Sequence, residues 1–188
     1  MNVQKFVKII IVIIGIIVFV GIMAAIGVYI KTDQPDSKQP EVSNFTECAA
    51  AGNPVMESYP RQCRHNDQLF VENIGNELEK QDLIQAQTPR PNQDIQSPVT
   101  IEGTARGYWF FEATFPVILK DENGNILVES YATAQGEWMT EDFVPFVATL
   151  EFDLAEGSEK EALLILKKAN ASGLPEHDDM LEIPVFIK

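Results

Sequence analysis

The chain is short of the residues that carry chemistry. Its 188 residues include 2 histidines, 2 cysteines and 2 tryptophans, and 14 lysines and arginines stand against 28 aspartates and glutamates. His65 and His177 lie far apart in the sequence, so no serine or cysteine has an obvious paired base. Glycine-rich phosphate loops and dinucleotide motifs are absent. The scarcity of base gives a formal net charge of −14. Such a surface repels phosphate backbones, which excludes a nucleic-acid binder. It also repels anionic lipid headgroups, and it keeps the protein soluble by self-repulsion. The expectation is a protein that is not an enzyme and holds no cofactor or metal.

Two acidic stretches test that expectation. His177 sits beside Glu176, Asp178 and Asp179, which reads as a weak divalent-cation cluster or as a solvated acidic loop. "DENGN", residues 121–125, lacks the glycine position and the closing glutamate of a calcium-binding loop. It reads as a hairpin turn, because Asn123-Gly124 separates two apolar alternating runs.

Acid is missing altogether from the start of the chain. No Asp or Glu precedes Asp33, while Lys5, Lys8 and Lys31 lie there. Between the lysines runs "IIIVIIGIIVFVGIMAAIGVYI", residues 9–30, without a charge. At ~1.5 Å per residue a helix of this length crosses a hydrocarbon core of ~30 Å. The apolar region of a cleaved signal peptide is shorter, and no small-residue cleavage site is convincing here. No cysteine follows the run closely enough for an acylated lipoprotein. Residues 1–31 are therefore expected to be an uncleaved transmembrane signal-anchor, with a cleaved signal as the rival. The basic N-terminus favours a cytoplasmic start and extracytoplasmic domains, in a single-pass cell-membrane protein.

Cys48 and Cys63 are the only cysteines. Outside the cytoplasm a pair so placed reads as one disulfide. Closing a loop of this size stabilises by about 3 kcal/mol in the chain-entropy model, which matters to a small segment with little core. A metal site is the rival, but only His65 lies near the pair. Residues 45–74 are read as this small two-cysteine module. Residues 32–44 form a polar spacer before it. Residues 75–94 form a linker after it, with a short helix over 77–86.

From 95 to 188 the apolar period is two. Phe146, Ala148, Leu150, Phe152 and Leu154 alternate with Val147, Thr149, Glu151 and Asp153. Val99, Ile101, Gly103 and Ala105 share a face, as do Ile183, Val185 and Ile187. Ile126, Val128, Ala132 and Ala134 line one face of the strand after the hairpin. The same parity splits "GYWFFEATFPVIL", residues 107–119. Trp109, Phe111, Phe115, Val117 and Leu119 fall on a core face, and Tyr108, Phe110 and Glu112 on the other. About six or seven short strands with no amphipathic helix imply an all-β antiparallel sandwich.

Several motifs carry a family likeness. They are Ser97-Pro98, Ile101 and Gly103, Trp109-Phe110-Phe111-Glu112, Phe115-Pro116-Val117, Asp121 with Gly124, Trp138-Met139-Thr140, Asp142-Phe143, Pro145-Phe146 and the closing Ile183-Pro184-Val185. With these, residues 95–188 resemble the immunoglobulin-like domain associated with bacterial sporulation and spore germination, the Gmad type. The resemblance implies an immunoglobulin-like fold and an envelope location. It implies no catalytic or ligand-binding residues.

The expected function is interaction, with an envelope protein or a cell-wall component as partner. Outward aromatics are the candidates for the contact: Tyr108 and Phe110, with Trp138, Met139 and Phe143 in the connection "GEWMTEDFVPF". The alternatives are that these rings stack on carbohydrate or peptidoglycan, or that they only seal the end of the sandwich.

Overall fold

The computed structural model describes Ile16, residues 41–153 and residues 160–188. The apolar run 9–30, and with it the expected membrane anchor, lies outside the described residues. So do residues 32–40 of the expected spacer and Leu154. Among the described residues no helix is long and apolar enough to cross a membrane. Ser43–Lys188 forms one compact unit.

That unit begins with helix α1, Phe45–Ala50. The Asn44 side chain caps it by accepting from the Glu47 N–H at 2.8 Å, while the Glu47 carboxylate accepts from the Ser43 N–H at 2.7 Å. Both ends of this exchange satisfy donors that a helix start leaves open. Three short strands follow: β1 Val55–Met56, β2 Gln62–His65 and β3 Gln68–Val71, paired antiparallel in that order. The Cys48–Cys63 disulfide joins α1 to β2, with Cα atoms 6.1 Å apart and both residues fully buried. The expected bridge is present.

Next come the short helix α2, Glu77–Lys80, then β4 Ile84–Thr88, β5 Asp94–Ile95, β6 Val99–Arg106, β7 Thr114–Asp121, β8 Ile126–Ala134, β9 Phe143–Leu150, β10 Lys160–Lys167 and β11 Met180–Ile187. Strands β4 to β11 make one eight-stranded sheet, ordered β4-β6-β9-β8-β7-β10-β11-β5. The stretch expected as linker thus supplies both edge strands. β4 pairs antiparallel with β6, and β5 pairs parallel with β11. Within these two strands only Ile84, Ala86 and Ile95 are buried, too few to show as a period.

The sheet folds over itself into two layers. β6 and β9 pair along their whole length, from Val99–Leu150 to Arg106–Phe143. β8 and β9 meet only at Thr133–Val147 and Ala134–Phe146. At that corner the strip turns, and the two halves face each other across a single core. Phe115 of β7 meets Phe146 of β9 edge to face, with ring centroids 4.9 Å apart. Leu119, Leu150, Leu164, Ile183 and Ile187 are among the other fully buried side chains. On the far side, residues 89–93 run from β4 to β5, joining the two end strands and closing that edge.

Most of the alternation holds, with two departures. A register shift opposite Leu119 and Lys120 turns Ile126 outward, where it is exposed. The second departure falls in the aromatic stretch and bears on function.

Candidate functional site

Strand parity fails between Arg106 and Thr114. Gly107–Trp109 turns as a single 3-10 helix, which buries Trp109 and, directly after it, Phe110. The Trp109 indole N–H finds no acceptor among the described residues. Phe110 is 4 % exposed and packs on Phe115 with centroids 5.2 Å apart. Its expected place on the interaction surface is therefore corrected: Phe110 belongs to the core. Phe111, expected in the core, is 49 % exposed.

The cause is a two-residue turn. The Phe111 N–H donates to the Thr114 carbonyl at 2.9 Å, and the Thr114 N–H returns to Phe111 at 3.1 Å. Glu112 and Ala113 between them both have positive φ, +50° and +62°. Hairpin turns of this hand ordinarily use Asn-Gly, because each left-handed non-glycine residue costs roughly 1–2 kcal/mol. Sequence reasoning had no glycine here to signal the turn.

The same end of the sandwich carries the connection 135–142. Gly107 lies under it so closely that a Cβ would sit 2.0 Å from the Thr140 carbonyl oxygen and 2.3 Å from that of Trp138. The Gly107 N–H donates to Asp142 O at 3.1 Å. This contact brings Tyr108 and Phe111 to the same end as Trp138, Met139 and Phe143. Tyr108 is 49 % exposed and Met139 74 %. Trp138 and Phe143 are half-buried. The guanidinium of Arg106 covers the Phe143 ring at 4.1 Å, and Lys168 Nζ lies 5.9 Å from the Tyr108 ring centre. The third connection at this end, 168–179, ties back through the Ala169 N–H to Trp109 O at 2.9 Å, and it exposes Leu174.

That third connection also holds His177. Its Nδ1 lies 3.0 Å from Ser172 Oγ, but the hydroxyl donates to Asn170 Oδ1 at 2.6 Å. With that proton committed, Nδ1 serves as donor and not as a base toward Ser172. Asp178 accepts from Asn170 Nδ2 at 2.9 Å, and this hydrogen bond, helped by Lys167, lowers its pKa. The loop is a self-satisfied turn. Asp121 plays a similar part in the hairpin tip. Its side chain accepts from Asn125 and from the Asn123 N–H, which lowers its pKa, and Gly124 takes φ +83°. Among the described residues no group of three His, Cys, Asp or Glu side chains stands ready to hold a metal ion.

The closed edge carries a second polar cluster, which docks the two-cysteine module. Glu72 is buried and receives Arg61 Nε at 2.8 Å and Asn92 Nδ2 at 3.1 Å. The Arg61 hydrogen bonds lower its pKa. Glu77, also buried, accepts from the Tyr59 hydroxyl and pairs with Arg90. Partial burial, then the neighbouring Glu77 carboxylate, push the Tyr59 phenol up to about 12. Asn76 joins β11 through its side chain, donating to Met180 O at 3.0 Å and accepting from the Glu182 N–H at 2.8 Å. Beside it Gly75 has φ +68°, and a Cβ there would lie 1.9 Å from Glu182 O. No sequence period marks these residues, since each works through partners that lie elsewhere along the chain.

A family model describing the immunoglobulin-like domain of bacterial spore germination, Gmad2, matches residues 83–173. Residues 83–173 are a Gmad2 domain. The match opens immediately before β4, so this domain includes the edge strand that the sequence pattern hides. The curled two-layer sheet is its immunoglobulin-like fold, and β11 extends that sheet beyond the matched span. Gmad2 is a non-catalytic family type. Comparison with curated proteins finds no match.

Proposed function

We infer that this protein is a membrane-anchored, extracytoplasmic interaction protein of a bacterial envelope. Its Gmad2 domain docks a partner protein through the apolar loop end. One observation carries this reading: a strained turn at Glu112–Ala113 holds Phe111 out in water, at the same end as Tyr108, Met139 and Leu174. Backbone strain of this kind persists where the surrounding structure enforces it, and it clusters at binding sites. The apolar run 9–30 supports the anchor, and the disulfide supports an oxidising compartment. A protein partner is favoured over a glycan, because cations already lie over the Phe143 and Tyr108 rings and Trp138 is half-buried. Sugar stacking needs open ring faces.

Photo-crosslinking from position 111 tests this in cells of the native host, with the full chain recovered from alkali-washed membranes. A discrete crosslinked protein is expected, lost when Met139 and Tyr108 are changed to Ala. The same crosslinker at Asn123, on the opposite end, serves as control. Equal crosslinking from both ends would sink the protein-docking idea. Adducts to peptidoglycan alone would favour the carbohydrate alternative, and release of the chain by the alkaline wash would remove the anchor.

A further inference from the structure

The loop end is not the only unfinished part of this surface. Where β8 and β9 separate, each leaves a backbone edge unpaired among the described residues. The side on which the free groups lie follows from two hydrogen bonds. The Ala134 N–H donates to Ala113 on the β7 side, and the Gln135 N–H donates to Pro145 on the β9 side. Backbone groups of successive residues in a strand point to opposite sides. The N–H and C=O groups of Glu129 and Tyr131 therefore point toward β9, beyond the last paired position, Thr133–Val147.

Extending that register shows why the ladder stops. Tyr131 would face Thr149, and the next bonded position would set Glu129 against Glu151. Like charges directly opposed across a sheet are destabilising. Asp153 follows at the next step, facing Leu127. β9 is instead held on the β6 side, where the Phe152 N–H donates to Ser97 Oγ at 2.9 Å. The other edges of the large sheet are blunted. On β4 the Ala86 carbonyl accepts from Arg90 Nη1 at 2.8 Å and Pro89 follows, and β5 has only 2 residues. β8, "ILVESYATA", has neither proline nor lysine; its one charge is Glu129, and its register shift lies at the Ile126–Val128 end, short of Tyr131.

We propose that the β8 edge between Leu127 and Tyr131 receives an extended, basic segment of a partner protein. The segment pairs with the backbone groups of Glu129 and Tyr131 that are unpaired among the described residues, and places a lysine or arginine between Glu129 and Glu151. Strand addition takes affinity from main-chain bonds and selectivity from alternate side chains. The exposed carboxylates Glu129, Glu151 and Asp153 set the charge of the occupant, and they disfavour a second copy of this acidic chain. This surface is separate from the loop end and stands without the docking assigned there.

The test titrates the full chain with a short peptide of alternating valine and lysine, and with its valine–glutamate counterpart. The lysine peptide is expected to bind and to slow amide exchange at Glu129 and Tyr131, while the glutamate peptide does neither. Tyr131→Pro removes an edge N–H that β7 does not use. It is expected to weaken binding at least about tenfold, the scale of one lost hydrogen bond, with little change in Tm. Should that variant fold poorly, Glu129→Lys with Glu151→Lys gives an independent readout, an inverted preference for the glutamate peptide. Equal binding of both peptides, binding unaffected by either variant, or self-association abolished by Tyr131→Pro would each overturn the proposal.

Discussion

Phe111 and Thr114 close a two-residue turn upon each other, through N–H to carbonyl bonds of 2.9 and 3.1 Å in opposite directions. The residues between them, Glu112 and Ala113, adopt left-handed backbone that neither prefers. Ala113→Gly should relieve this cost and raise stability by about 1 kcal/mol. Denaturant unfolding measures the gain. A loss would mean that the alanine methyl makes contacts worth more than the strain. If the turn presents Phe111 to a partner, the same variant should weaken crosslinking from position 111 while the protein becomes more stable.

Replacing Cys48 and Cys63 by Ser should cost about 3 kcal/mol in the module, given the 15-residue separation of the pair. The module has little core of its own, so the loss should stay local. Hydrogen exchange should quicken across α1 and β2, while β6, β9 and β11 keep their protection. Uniform loss of protection throughout 99–187 would show that the sandwich depends on the module for its fold.

Acid should release the module first. Glu72 is buried, and its Arg61 partner holds its carboxyl below the usual range. A depressed carboxylate contributes stability that is present above the unfolded pKa and is lost as pH falls through the folded one. The Glu72 contribution is thus intact at neutral pH and fades below pH ~4. Glu47, Asp121 and Asp178 are lowered too, but none of them is buried and they weigh less. Thermal unfolding followed against pH should show a drop that Glu72→Gln flattens. An unchanged pH profile in that variant would assign the acid response elsewhere.

Much of the sandwich could be read from residue patterns, because β6, β9 and β11 each bury one face and leave the other exposed or half-buried. Phe146, Ala148 and Leu150 in β9 and Ile183, Val185 and Ile187 in β11 all lie where period two puts them. The edge strands were not legible. Ile84 and Ala86 in β4 stand among glutamines, and the pairing partners that make them a strand lie far along the chain. The aromatic stretch misled for a different reason. Alternation presumes an unbroken strand, and the 3-10 turn at Gly107–Trp109 with the tight turn at Glu112–Ala113 resets the phase. Phe110 and Phe111 therefore trade places, while Tyr108 and Met139 stay exposed as expected. The candidate surface kept its location and exchanged one of its rings.

The Asp121–Asn125 turn has a practical consequence. It lies at the end of the sandwich opposite Phe111, and Gly124 there has open space around it. Asp121 already organises the tip with its own hydrogen bonds, so the two strands beneath need nothing from Asn123 and Gly124 beyond closure. An affinity handle or a fluorophore attached at Asn123 would leave the loop end bare. The protein can then be immobilised in one orientation, presenting its aromatic tip to whatever passes over it.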